Sequence, residues 1–213
     1  MRKYTSIEKN KFEEERVRLI LTYLEPERYK GAVLSESPDI VCTDNGIGVE
    51  VTSCRKSDHM ERDSIVGKMT GKRIADLSEK EKKLISRGDV FAAPIGNGRI
   101  LAGYTAWGEE YDVQSILQRK IEKLNTKYQK YRENELFITA WLCDDYELDE
   151  MSQQIRKINF STDSCFTRVY VCRDENDNVE VYEFNRDSQR MHVIDRKTMN
   201  AINIEAKSNT IKD

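Results

Sequence analysis

The sequence predicts an α/β domain built on a mixed β-sheet, and three observations predict it. Helix-like and strand-like segments follow one another in the order helix, hairpin, insertion, long helix, strand, helix, strands. The run ELFITAWL, residues 135 to 142, reads as a buried strand. Two β-prone runs within SPDIVCTDNGIGVEVTSC, residues 37 to 54, meet at Asn45-Gly46, a strong signal for a hairpin with a two-residue loop.

Taken in order, residues 7 to 24 read as an amphipathic helix with Val17, Ile20, Leu21 and Leu24 at helical spacing, ended by Glu25-Pro26. Extending that stripe backwards brings Glu14 to the buried side, with Glu13 beside it. After the hairpin, residues 55 to 87 suggest one or two charged helices broken near Gly67 and Gly71. Residues 88 to 111 are Gly-containing and irregular, so a helical and loop insertion is expected at about 55 to 111. A long helix is expected from about 112 to 132, with Asp112 as an N-cap and Val113, Ile116, Leu117, Ile121, Leu124, Tyr128 and Tyr131 on one side. A short helix around Met151, Ile155 and Ile158 follows the buried strand, and then two strands at 165 to 172 and 179 to 184. The domain is expected to close at residue 184, leaving 185 to 213 as a polar extension with at most a strand at Met191 to Ile194.

Composition narrows the chemistry. No run of 18 apolar residues is present, and the start lacks an apolar leader, so neither a membrane span nor a secretory signal is expected. Five cysteines without a CxxC pair and only two histidines argue against a disulfide framework, structural zinc and Cys/His catalysis, and favour a reducing cytoplasm. Any metal would therefore sit on carboxylates. Net charge is −3, but residues 55 to 87 carry ten Lys/Arg against six Asp/Glu and residues 118 to 132 carry six against one, while 133 to 183 carry four against thirteen. A positive middle offers a phosphate-tracking surface inside an acidic chain.

The hairpin carries the candidate chemistry. With a two-residue loop, Asp39 would face Thr52, Val41 would face Glu50 and Thr43 would face Gly48. Alternation then puts Asp39, Val41, Thr43, Gly48, Glu50 and Thr52 on one face, and Ile40, Cys42, Ile47, Val49 and Val51 on the core face. Two carboxylates on a sheet that must bury helices need a partner, and a divalent cation is one. Mg²⁺ is commonly held by one or two carboxylates together with substrate phosphate oxygens.

Pro38-Asp39, ten intervening residues and Glu50-Val51-Thr52 resemble the PD-(D/E)xK nuclease superfamily. The order of elements over roughly residues 7 to 172 is similar to that family's as well. The resemblance implies a restriction-endonuclease-like three-layer fold, Mg²⁺ (or Mn²⁺) as cofactor, and nucleic acid, DNA first, as substrate. It places metal binding on Asp39 and Glu50, with help from Glu14 on the preceding helix. The family's usual lysine is replaced here by Thr52, which carries no charge. Lys120, on the apolar stripe of the long helix, is the first candidate for a relocated lysine, and Lys56 the second.

The expected activity is a metal-dependent phosphodiesterase, with Arg119, Lys120, Lys123 and Lys127 near backbone phosphates. Cutting both strands of a duplex would favour a homodimer. The alternative is a nuclease-like binding or regulatory module that has lost catalysis with its lysine. Gly96-Asn97-Gly98 and Gly103 match no phosphate-binding fingerprint and read as loop. Trp107, Tyr104 and Tyr111 either stack on bases or hold that loop down, and His59 reads as a surface histidine.

Overall fold

A computed structural model describes residues 6–55, 64–104, 111–141, 143–163, 165–175 and 177–210. In chain order the elements are α1 (Ser6–Leu24), β1 (Val33–Leu34), β2 (Ile40–Cys42), β3 (Ile47–Ser53), α2 (residues 64–69), a single 3-10 turn (Ile74–Asp76), α3 (Glu79–Ser86), β4 (Phe91–Gly96), β5 (Arg99–Gly103), α4 (Val113–Thr126), β6 (Glu133–Thr139), α5 (Asp145–Ile158), β7 (Arg168–Asp174), β8 (Asn178–Phe184), β9 (Gln189–Asp195) and α6 (Arg196–Thr210). Two units contain them, Met1–Cys54 with Val113–Asp213, and Arg55–Asp112. No helix among the described residues is long and apolar enough to cross a membrane.

The larger unit is α/β, and its sheet is mixed, with strand order β1-β2-β3-β6-β7-β8-β9. Strands β3, β6 and β7 run parallel, and the remaining neighbours are antiparallel. Parallel neighbours require crossovers, and α4 and α5 supply them between β3 and β6 and between β6 and β7. Ile40, Cys42, Ile47, Val49, Phe137, Tyr170, Cys172, Val179, Val181 and Ile194 form one core with Val17, Ile20 and Leu21 of α1 and Met199 and Ile202 of α6. Period-two alternation turns Leu136, Ile138, Val169 and Val171 to the other face, all fully buried. On that side lie the buried stripes of α4, from Val113 to Leu124, and of α5, from Leu148 to Ile155.

The hairpin differs from the expected one in its loop. Ile40 pairs Val49, Val41 pairs Gly48 and Cys42 pairs Ile47, so partner numbers sum to 89, where a two-residue loop requires 91. Thr43 to Gly46 form a four-residue turn, closed by Gly46 N–H donating to Thr43 O at 3.0 Å, with Gly46 at φ +62°. Two residues are added, an even number, so every side chain keeps its expected face. Gly48 is required there, because a Cβ would lie 2.7 Å from both the Pro38 and Tyr131 side chains.

Three other expectations are corrected. The long helix stops at Thr126, six residues early; Lys127 and Tyr128 both donate to Lys123 O, and Tyr131 and Asn134 exchange side-chain to backbone bonds that start β6 at Glu133. Residues 185 to 213 are not a polar extension within the described chain: β9 pairs β8 along its whole length, and α6 places Met199, Ile202 and Ala206 in contact with the core at i, i+3 and i+7. Residues 88 to 103 are not irregular, because β4 and β5 form a two-stranded ribbon around Gly96-Asn97-Gly98, all three at positive φ.

The smaller unit has its own core of Met69, Leu77, Val90, Ile100 and Ala102. Its helix α3 begins in a capping box between Ser78 and Glu81. Gly71, at φ +83°, ends the helical stretch before it, whereas Gly67 lies inside α2.

Met199→Ala tests the C-terminal correction. Loss of a methionine buried between α1, α6 and the sheet is expected to cost about 2–5 kcal/mol in urea unfolding. A loss below about 0.5 kcal/mol, the range of a surface change, would remove α6 from the core.

Candidate active site

Asp39, one residue before β2, and Glu50, in the middle of β3, come opposite each other when the observed register is continued by one residue. Both line a cavity of about 270 Å³ at the carboxyl ends of the parallel strands β3 and β6, together with Asn10, Glu13, Glu14, Val51, Thr52, Ser53, Lys120 and Thr139. Open α/β sheets bind ligands at that end of their strands. Of the predicted site residues, Asp39, Glu50, Thr52, Glu14 and Lys120 are therefore brought to one cavity. Lys56, His59 and Trp107 lie outside the described residues.

Glu50 is 7% exposed, and so is Lys120 on α4. Lys120 Nζ donates to Glu50 Oε1 at 2.5 Å, and Tyr128 OH donates to the same oxygen at 2.6 Å. With both donors on Oε1, the carboxylate is fixed in rotation about its last torsion. Tyr128 carries burial and the Glu50 charge, which together push its hydroxyl well above the usual tyrosine range. It was expected on the apolar side of a longer helix, and its polar role becomes visible only because the helix ends before it.

Asp39 accepts from Val51 N–H at 2.7 Å, a bond across the hairpin that aims its carboxylate. Its pKa is raised to about 6, first by burial and then by the Glu50 charge, with the Val51 bond and Lys120 working the other way. Glu14 is raised as well, first by burial and, after the opposing pull of Lys11, by Glu50. Its neighbours are committed elsewhere, Glu13 to Arg16 and Glu15 to Arg18 and Asn209, while Glu14 makes no hydrogen bond or ion pair among the described residues. Thr52 is half-buried and its hydroxyl reaches only Ser53 O, at 3.4 Å. Among the described residues no group of three or more His, Cys, Asp or Glu side chains is gathered closely enough to hold a metal ion, and Glu14 lines the same cavity as Asp39 and Glu50.

The expected basic helix face is divided. Lys120 is buried on Glu50, whereas Arg119 and Lys127 are exposed and Lys123 is half-exposed. Tyr111 is buried, and Tyr104 OH accepts from Arg55 at 3.3 Å.

A second buried acid, Glu135, lies at the opposite end of β6 and was not anticipated. It is fully buried, accepts from Arg28, and receives Tyr29 OH at 2.6 Å, which also bonds Tyr170 OH at 2.8 Å. Arg28 also binds Glu133 at 2.5 Å, and Arg168 approaches Glu135 at 4.0 Å. Its signal, a glutamate inside an apolar strand, was the same signal that singled out Glu50.

In comparisons with known proteins, no family model, no curated protein and no solved structure matches this chain.

Two outcomes follow from the site electrostatics. Lys120→Met leaves Glu50 buried without its cation and is expected to cost about 3–5 kcal/mol, with Lys120→Met/Glu50→Gln recovering a large part of the loss in chemical unfolding. Recovery of none would mean that the pair is not coupled. Asp39 is neutral more readily in the folded chain than in the unfolded one, so its ionised form opposes folding above about pH 6. In metal-free buffer Asp39→Asn should therefore raise Tm at pH 7.5 by a few degrees, on the order of 1 kcal/mol after solvent screening, with the gain fading below the ordinary aspartate range near pH 4. A gain independent of pH would contradict the assignment.

Proposed function

We propose that the chain is a metal-dependent phosphodiester hydrolase of restriction-endonuclease-like three-layer architecture, acting as a DNA endonuclease. The observation that carries this reading is the cavity at the strand ends in which Asp39 and Glu50 oppose each other across the hairpin while a buried lysine from the next helix reaches Glu50. The donor set is all oxygen, which suits Mg²⁺ or Mn²⁺. Asp39 is raised to about 6 by burial and by Glu50, so the cavity is short of positive charge, as a cation site is before its ion binds.

Asp39 and Glu50 would hold the ion, and two carboxylates match the share a protein commonly gives Mg²⁺. When bound, the ion supplies Lewis-acid polarisation of a phosphoryl oxygen and an acidified water. The chain's own groups do the rest. Val51 N–H holds Asp39 in place, and Tyr128 and Lys120 fix the orientation of Glu50. Lys120 is the cation nearest the reacting centre and offsets charge developing on phosphate, a task that uncharged Thr52 cannot perform. Arg119 beside Lys120, and Lys123 and Lys127 one and two turns further along on and beyond α4, supply backbone phosphate contacts.

One observation favours the second reading, a nuclease-like binding or regulatory module without catalysis. Lys120 already neutralises Glu50, and no three-ligand group is present among the described residues. In that reading the ion pair is structural and the cavity takes no divalent ion.

The readings are separated by incubating the protein with duplex DNA, single-stranded DNA and RNA in Mg²⁺, Mn²⁺ or EDTA, beside Glu50→Gln. Cleavage that requires metal and falls at least about 100-fold in Glu50→Gln is expected. Metal affinity and kcat/KM should both fall about tenfold per pH unit as pH drops below about 6, because protonated Asp39 no longer holds a cation. Absence of cleavage and of Mn²⁺ binding in a folded sample would overturn the enzyme and leave the binding module.

A further inference from the structure

The smaller unit carries two arginines that make no ion pair among the described residues. Arg73 forms an antiparallel bridge with Arg99 at the start of β5, so the two arginines are cross-strand partners. Such partners share one face, and like charges directly opposite each other are destabilising. Both are exposed, and neither makes an ion pair or side-chain hydrogen bond among the described residues. By contrast, Lys72 is paired with Glu81 and Lys82 with Glu79.

The same ribbon face is apolar. Ile100 and Ala102 point into the unit's core, so alternation turns Arg99, Leu101 and Gly103 outward. Leu101 is 49% exposed, and across the ladder Phe91 is 54% exposed, with its ring lying over Gly103 so closely that a Cβ there would sit 2.3 Å from Cζ. Ile95, at the turn, is 55% exposed. An apolar strip beside two guanidinium groups that have no ion pair among the described residues suits a ligand that is anionic at its edge and flat and apolar within. A nucleic acid has both properties, and a two-stranded ribbon has the width of the B-DNA major groove.

We infer that the outer face of the β4–β5 ribbon is a nucleic-acid contact surface. Arg73 and Arg99 take backbone phosphates, and Phe91, Ile95 and Leu101 lie against sugars, base faces or thymine methyl groups. The inference rests on the phosphodiesterase reading for its choice of polyanion and deepens it by assigning substrate capture to the inserted unit.

The test is binding of a fluorescently labelled DNA duplex by the full chain in EDTA, where no cleavage occurs, followed by anisotropy over a range of salt. Arg73→Ala/Arg99→Ala is expected to weaken binding about tenfold or more and to reduce the slope of log K against log salt by about 2, close to 0.9 per lost phosphate contact. Arg73→Lys/Arg99→Lys should keep the slope, and Leu101→Ser should weaken binding without changing it. Unchanged affinity and slope in the double alanine variant, with folding verified by circular dichroism, overturns the ribbon surface while leaving the hydrolase reading intact. Weakened binding from a protein that cleaves nothing in Mg²⁺ or Mn²⁺ supports the ribbon and removes the hydrolase. A concentration-dependent dimer in sedimentation that Leu101→Ser abolishes, with duplex affinity unaffected, overturns the proposal in favour of a second copy as occupant.

Discussion

A charged glutamate in the middle of a buried strand must have its charge met, and the architecture of the larger unit around Glu50 follows from that requirement. The strand lies between parallel and antiparallel neighbours, and Glu50 on it is 7% exposed, opening to the cavity at the end of the sheet. Helix α4 crosses from β3 to β6 on the face that Glu50 occupies, and it brings Lys120 to the carboxylate on an otherwise apolar stripe. Removing two charges from water costs several kcal/mol each, and their attraction repays this only with good geometry and further hydrogen bonds. Tyr128 provides one of those bonds. An apolar pair of similar volume would pack there at lower cost, so the retained charges call for an explanation beyond stability.

Strand parity decided how much of this was legible in the sequence. The loop at Asn45-Gly46 was expected to be two residues shorter than it is, yet the faces of Asp39, Glu50 and Thr52 are unaffected, because side-chain alternation senses only whether a register shift is odd or even. The facing partner of Asp39 did change, from Thr52 to Glu50, and this brings the two acids directly opposite rather than diagonal. Lys120 was legible for a similar reason, since a charged residue at a position reserved for Leu and Ile by helical spacing must be buried or must snorkel.

What could not be read had a weak periodic signal. Strand β9 is an edge strand whose only fully buried side chain is Ile194, and α6 touches the core through a stripe of three residues among fifteen. Only Met191 to Ile194 of β9 stood out from a polar tail, and β9 and α6 become ordered parts of the fold through pairing with β8 and packing against α1. The ribbon was hidden for a different reason. Pro94 and two alanines give β4 little strand propensity, and a register shift between Pro94 and Gly96 breaks its alternation.

The two ends of β6 show why one buried acid is read as functional and the other is not. At the amino end, Glu135 and Glu133 face two guanidinium groups, Arg28 and Arg168, and a tyrosine hydroxyl completes the shell of Glu135. Arg168 also bonds Glu25 at 3.1 Å and Glu183 at 2.7 Å, so each acid of that cluster is held by a guanidinium group. At the carboxyl end, Asp39, Glu50 and Glu14 border one cavity with a single buried lysine among them, and Asp39 and Glu14 are pushed upward by burial and by Glu50. What differs is the pairing, because Asp39 and Glu14 make no ion pair among the described residues. Acids without an ion pair, gathered in one cavity at the carboxyl ends of parallel strands, are what supports the proposed cation site.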